Sequence, residues 1–468
     1  MASTPAFARV LGRADLLLFS VSAVLTIDAL ASAASLGVSW FAWWGIILLV
    51  FFVPYALIVA ELGAAWPAEG GIFIWVREAF GPRWGFLAAW LYWINNAFWI
   101  PTVGLVFAGV LHSLFLKPLL PASLREGAGA TALQTGLAIL LIWITVGFGV
   151  VRLSVAKWLP NGGAIVKGAI FIGLGALGLM ALLKGDPPAN DFSAAQWTPR
   201  LSDSLAFLPV LLYNVLGFEL MSAAGGEMRD PPRDVPRAVL RGGLIIGIIY
   251  GLGVGGILLA VPLKELSVVT GTWDALAILG NSWGGAGRAL VMLLGVGFLF
   301  ACLANLVTWS LGVNRVIAAA AHEGAAPALL GKLHPRNQTP WAAFVLMGVI
   351  ATGLLLGNAC LAANANNLFW MIFKLSSLCF LLSYLLVFPA FLALRRTQPA
   401  HPRPYRLPGG PFAARAAATL AFIAVAAACV LFFLPSPGSR QPRREFLTLA
   451  GETAATLLIG ALLIPRKR

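Results

Sequence analysis

Charge is scarce in this chain. Only 11% of its 468 residues are Asp, Glu, Lys or Arg, against 60% hydrophobic, a balance outside the range of soluble domains. The apolar residues come in long runs joined by short, Arg-rich connectors, so no stretch remains in which a separate soluble domain could bury its own core. Cysteine is rarer still. Cys302, Cys360, Cys379 and Cys429 lie in or beside apolar runs and none forms a C-x-x-C pair, which excludes a disulfide framework and a zinc site. The four histidines, His112, His322, His334 and His401, sit near the ends of runs or between them. No His/Cys/Asp cluster has metal-ligand spacing, no phosphate loop is present and no nucleophile–base pair can be assembled. Enzyme chemistry is therefore not expected, and neither is a metal or a cofactor. Acidic residues are outnumbered 18 to 32 by basic ones, for a net charge of +14. No polar basic domain exists to hold nucleic acid, so the excess is read as membrane topology.

What the chain does have is bilayer-length apolar runs. They fall at about 14–38, 41–62, 84–113, 130–151, 158–183, 203–225, 241–262, 288–319, 341–358, 366–393, 412–434 and 446–464. These predict an all-α polytopic membrane protein of about twelve transmembrane helices. Arg9 and Arg13 ahead of a stretch ending in Ala31-Ser32-Ala33 resemble a signal peptide. That stretch is nonetheless long enough to span at about 1.5 Å per residue and others follow at once, so it is read as the first span. An even count puts both termini on one side. With that side cytoplasmic, the inner segments hold 21 of the 32 basic residues, among them Arg9, Arg77, Arg152, Lys157, Arg315, Arg395, Arg396, Arg403, Arg406, Arg415 and Arg466–Arg468. The outer segments hold nine, including Arg440, and the bias predicts cytoplasmic termini in the cell membrane.

An ionisable side chain inside a span is costly and marks a candidate functional site. Four qualify: Asp28 in the first run, Lys167 in the fifth, Glu219 in the sixth and Lys374 in the tenth. Asp28 and Glu219 occupy corresponding positions if the first ten spans are two repeats of five. Transporters built on inverted repeats place substrate at the midplane, between two broken helices. The sixth run carries what a break needs, Tyr213-Asn214 ahead of Gly217-Phe218-Glu219 and then Gly225-Gly226. The first run, Ser22 to Asp28, has hydroxyls but no glycine, and its bland reading is a capping or lysine-paired Asp28. Asn95, Asn96 and Asn305 are candidates to line a pathway, with interhelical bonding an equal alternative. Gly243, Gly247, Gly251 and Gly255 read as a packing stripe.

Several segments resemble the amino acid–polyamine–organocation superfamily. Pro67-Ala68-Glu69-Gly70-Gly71 and Phe80-Gly81-Pro82-Arg83-Trp84-Gly85-Phe86 are similar to its first cytoplasmic loop and the start of its third span. Gly217-Phe218-Glu219 with Asp230-Pro231 and Asp234-Val235-Pro236-Arg237-Ala238 resembles its sixth-span signature and following loop. Asn314-Arg315 with His322-Glu323-Gly324 and Pro327 resembles the loop after span eight. The resemblance implies an amino acid permease with a LeuT-type five-plus-five inverted repeat (14–183 and 203–393) and two added C-terminal helices (412–464). It implies that substrate is held by unwound segments at Ala23, Val24, Leu25, Thr26 and Ile27, beside Asp28, and at Leu216, Gly217, Phe218 and Glu219. Glu219 would couple proton or gate movement, Tyr213 and Trp309 would be aromatic gates, and Lys374 is a further candidate for coupling or gating. Lys167 would stand where sodium-coupled relatives bind sodium, favouring sodium independence. Ala23-Val24-Leu25 replaces the family's Gly-Ser-Gly type motif, a departure shared with the glutamate/GABA antiporter-like branch. The expected activity is alternating-access transport of an amino acid, proton-coupled or by exchange. A polyamine or organic-cation carrier is the alternative.

Overall fold

The computed structural model describes residues 12–150, 158–205, 207–281, 283–359, 365–435 and 441–465. Arg9, Arg152, Lys157, Arg440 and Arg466–Arg468, counted above in the loop charge, and Cys360 lie outside these residues. Every regular element among the described residues is helical, as a chain that must satisfy its own backbone in lipid requires. Eleven helices there are long and apolar enough to cross a membrane: Ala14–Ala34, Trp40–Ala65, Pro82–Leu116, Gly127–Gly149, Trp158–Leu183, Pro231–Ala260, Gly284–His322, Trp341–Ala359, Asn367–Thr397, Gly410–Leu431 and Pro442–Leu462.

The remaining expected span, the sixth, is not one continuous helix. Helix Leu208–Tyr213 stops and a tight 3-10 helix, Phe218–Glu227, takes over. The eighth span runs 39 residues, longer than a bilayer needs, so it tilts or projects.

Burial sorts the spans into centre and rim. The first is 83% buried along its apolar window and the third and tenth 67% each, against 22% for the last. The third span packs along the tenth and the eighth, and the fifth along the seventh. Fifth and seventh approach through Gly253 and Gly256 rather than through the four-residue glycine stripe. A Cβ on Gly256 would lie 2.5 Å from the Leu174 backbone and one on Gly253 2.8 Å from the Phe171 ring, while one on Gly251 meets nothing. Of the stripe, only Gly243 is tightly packed, against Phe52.

Candidate functional site

The first span breaks where no glycine marks it. The helix from Arg13 ends at Val24, and Leu25 and Thr26 are extended, with φ/ψ of −72/90 and −87/101. A 3-10 turn, Ile27–Ala29, and a short helix, Leu30–Ala34, resume the crossing. Both φ values are negative, so L residues adopt them without strain. What a break does demand is partners for the backbone groups it frees. The Lys167 ammonium donates to the Ser22 carbonyl at 2.5 Å and the Trp309 indole to the Ala23 carbonyl at 2.9 Å. The Thr26 N–H donates to the Tyr250 hydroxyl at 3.1 Å, and the Thr26 and Tyr250 hydroxyls are bonded at 2.6 Å.

At the second break Gly217 has φ +122, a conformation that L side chains rarely adopt, and a Cβ there would meet the Trp309 ring at 3.0 Å. The N–H groups of Gly217 and Phe218 both donate to the Tyr55 hydroxyl at 3.1 Å. The arrangement is reciprocal. Tyr55 belongs to the second span and serves the break in the sixth, while Tyr250 belongs to the seventh and serves the break in the first.

A carboxylate stands beside each break. Asp28, 1% exposed, accepts from the Trp99 indole at 3.0 Å and the Asn305 amide at 3.3 Å. Asn305 in turn accepts from Lys167 at 2.6 Å, so the amide relays between carboxylate and ammonium. Glu219 accepts from the Tyr55 hydroxyl and, at 2.6 Å, from the Tyr92 hydroxyl. Aromatic rings join the two sides. Trp309 lies 5.4 Å from Phe380, 6.0 Å from Trp99 and 6.3 Å from Tyr92, and Tyr213 lies 5.7 Å from Phe380. Thr26 also donates to the Asn214 side-chain oxygen at 3.4 Å, tying the breaks to each other.

Of the residues singled out in the sequence, Ala23 to Asp28, Tyr213, Leu216 to Glu219, Lys167, Asn305 and Trp309 are all buried and gather at the breaks. Asn96 turns elsewhere, donating to Ser310 at 3.2 Å and approaching the Met347 sulfur. Asn95 is buried in the third span, and its side-chain oxygen has no hydrogen-bond partner among the described residues. Lys374 lies apart, its ammonium on the Leu434 carbonyl at 2.6 Å and 3.8 Å from Glu445, between the tenth span and the last. Sequence reasoning missed Tyr55, Tyr92, Trp99, Tyr250 and Phe380. A usable signal existed for the tyrosines: the chain has six, and Tyr55, Tyr92, Tyr213, Tyr250 and Tyr384 are all buried within spans.

Outside the spans, helix Ile72–Phe80 is tied by Arg77 to Glu323, just past the eighth span, and Arg77 also pairs with its helix neighbour Glu78. Burial lowers the Arg77 guanidinium pKa, but the two carboxylates outweigh it and hold the value above the ordinary one.

The amino acid permease family profile matches residues 11–459, nearly the whole chain. This chain belongs to that family. A relative from Lactococcus lactis subsp. lactis, named "Probable agmatine/putrescine antiporter AguD", is 32% identical over 96% of this chain and 93% of its own. An uncharacterized transporter of Legionella pneumophila is 31% identical over 91% of this chain and 90% of its own. A plant relative from Arabidopsis thaliana, named as a probable polyamine transporter, is 26% identical over 77% of this chain and 66% of its own. Among solved structures, a manganese transporter of Eremococcus coleocola superposes with a TM-score of 0.65 at 13% identity, covering 99% of this chain and 97% of that one. The permease is thus an all-α, multi-pass integral membrane protein with the LeuT-type fold.

Proposed function

We propose that this permease is a secondary transporter, not an enzyme, which carries an organic cation of the diamine or polyamine class by alternating access. The observation that carries the reading is what the breaks leave available. The N–H groups of Thr26, Gly217 and Phe218, which would suit an α-carboxylate, are already taken by tyrosine hydroxyls. Two carboxylates, Asp28 and Glu219, remain among aromatic faces, the surroundings that favour an ammonium or guanidinium group. Their present partners, apart from the relayed Lys167, are neutral donors that leave the negative charge in place. The names of the Lactococcus and Arabidopsis relatives point the same way.

A zwitterionic amino acid is the second reading. The buried Asn214 side-chain nitrogen at the sixth-span break has no hydrogen-bond partner and could donate to a carboxylate. In either case coupling of substrate to proton or gate movement is assigned to Glu219, bonded by Tyr55 and Tyr92 beside the sixth-span break, with Tyr213 and Trp309 as ring gates. Lys167 puts a fixed ammonium between the Ser22 carbonyl of the first span and Asn305 of the eighth, which supports sodium independence. The reciprocal tyrosines support reading 14–183 and 203–393 as inverted repeats, with 412–464 added. Loop charge supports cytoplasmic termini in the cell membrane.

The deciding experiment is uptake of radiolabelled agmatine into proteoliposomes, competed by putrescine and by neutral amino acids. Putrescine is expected to compete at concentrations at which neutral amino acids do not. Competition by an amino acid alone would transfer the assignment to the second reading.

A further inference from the structure

We propose that the end of the tenth span, the loop after it and the start of the eleventh form a binding site for the head group of an anionic phospholipid. A groove of about 750 Å³ opens there, lined by Arg395, Arg396, Arg403, Arg406 and Arg415 with no carboxylate among its lining residues. The carboxylate beneath it, Glu61 of the second span, is 1% exposed and fully engaged. It accepts from Arg395, lies 3.4 Å from Arg403, and takes the Leu407 N–H at 2.7 Å. Among the described residues no acidic partner is left for Arg396, Arg406 or Arg415. Arg415 reaches only the Pro411 carbonyl of its own helix, at 3.4 Å. Three fixed positive charges thus face an open groove, the arrangement that binds phosphate oxygens.

The groove is built rather than draped. Arg403 donates to the carbonyls of Leu394, Gln398 and His401. Its guanidinium lies over the Trp66 ring at 5.4 Å. The His401 ring stacks on Trp66 with centroids 4.3 Å apart and planes nearly parallel, and bonds the Ala65 carbonyl at 2.9 Å. The loop is therefore clamped to the end of the second span.

The apolar surroundings select a lipid over a soluble anion. Phe412, in the first turn of helix Gly410–Leu431, is 81% exposed, and Ile423 further along is 58% exposed. Gly409 and Gly410, both with positive φ, turn the chain so that this helix starts at the groove. An occupant with an anionic head and an acyl tail would engage the arginines with one end and this apolar face with the other. Inorganic phosphate would use only the first.

The test is native mass spectrometry of the full-length protein in detergent, titrated with phosphatidylglycerol, phosphatidylcholine or inorganic phosphate. Phosphatidylglycerol should be retained in preference to phosphatidylcholine. The preference should fall by about fivefold per arginine removed in R396Q, R406Q and R415Q, and lysine at the same positions should keep most of it. If the triple glutamine variant unfolds, R406Q alone is read. Equal retention of the two lipids overturns the proposal, as does undiminished preference in the variants. Displacement of phosphatidylglycerol by millimolar phosphate would reassign the groove to a soluble anion. None of these residues touches the helix breaks, so the outcome is independent of the substrate assignment.

Discussion

The Tyr55 hydroxyl donates to the Glu219 carboxylate while accepting the N–H groups of Gly217 and Phe218, so one atom holds both the acid and the unwound backbone of the sixth span. In the first span the Tyr250 hydroxyl holds unwound backbone alone, accepting the Thr26 N–H and bonding the Thr26 hydroxyl. Tyr55→Phe removes a partner from two buried N–H groups and a carboxylate, each costing about 1–3 kcal/mol when left unsatisfied. Thermal unfolding in detergent should register a large loss for Tyr55→Phe and a smaller one for Tyr250→Phe. An unchanged melting temperature in both would show that the hydroxyls do not hold the breaks.

Glu219→Gln keeps the shape and one acceptor but removes the charge between Tyr55 and Tyr92. Transport should fall by tenfold or more, on the order of the loss expected for a charged hydrogen-bonding partner. Substrate binding, read as ligand-induced thermal stabilisation, should fall less. PH-dependent flux equal to that of the unmodified protein would remove Glu219 from the coupling role.

Lys167 and Asp28 communicate through Asn305 rather than by direct contact. Lys167→Met strands a buried carboxylate and the Ser22 carbonyl, a loss of about 3–5 kcal/mol. Asp28→Asn in the same chain removes the stranded charge. The double variant should therefore be more stable than Lys167→Met alone, with a coupling of about 0.5–3 kcal/mol. Additive losses in the thermal-unfolding cycle would mean the two groups do not interact.

The span pattern was legible because hydrophobicity over bilayer length is a local property: the fifth run, 158–183, coincides with helix Trp158–Leu183. The sixth-span break was legible for a similar reason, since Gly217 advertises a conformation that only glycine adopts freely. The first-span break carries no such mark. Its backbone partner, Tyr250, is 224 residues away, and no local pattern reports such a contact. Lys374 illustrates the converse limit. Position within an apolar run identifies a costly charge, but not whether its partner is a substrate or, as here, the Leu434 carbonyl. Trp99 and Phe380 were hidden among 17 tryptophans and 29 phenylalanines, whereas the scarcity of tyrosine could have singled out Tyr55, Tyr92 and Tyr250.

Glu61 receives Arg395 and Arg403 and the Leu407 N–H from the segment after the tenth span. Glu61→Gln leaves two guanidinium groups without their counter-charge, one of them 2% exposed at the side chain. Breaking a buried pair in this way costs about 3–5 kcal/mol. The variant should melt markedly lower and become susceptible to proteolysis between residues 398 and 409. A melting temperature within error of the unmodified protein would mean that Glu61 does not anchor this segment.

Asp274 lies in helix Gly271–Asn281, outside the spans, and accepts from the Thr270 hydroxyl at 2.7 Å. Burial raises its pKa, and the Thr270 bond offsets this only in part. A carboxyl whose folded pKa is raised binds its proton more tightly folded than unfolded, so ionisation costs stability as pH climbs. Below the unfolded pKa, about 3.9, both states are protonated and Asp274→Asn should melt close to the unmodified protein. As pH rises past that value, the unmodified protein loses stability relative to the variant until the folded carboxyl has ionised as well. The gap then stays constant. Thermal unfolding of both proteins across this range should therefore show an advantage for Asp274→Asn that grows with pH and then levels. An advantage that shrinks on raising the pH would mean that the folded state favours the charged carboxylate, the opposite of what its burial implies.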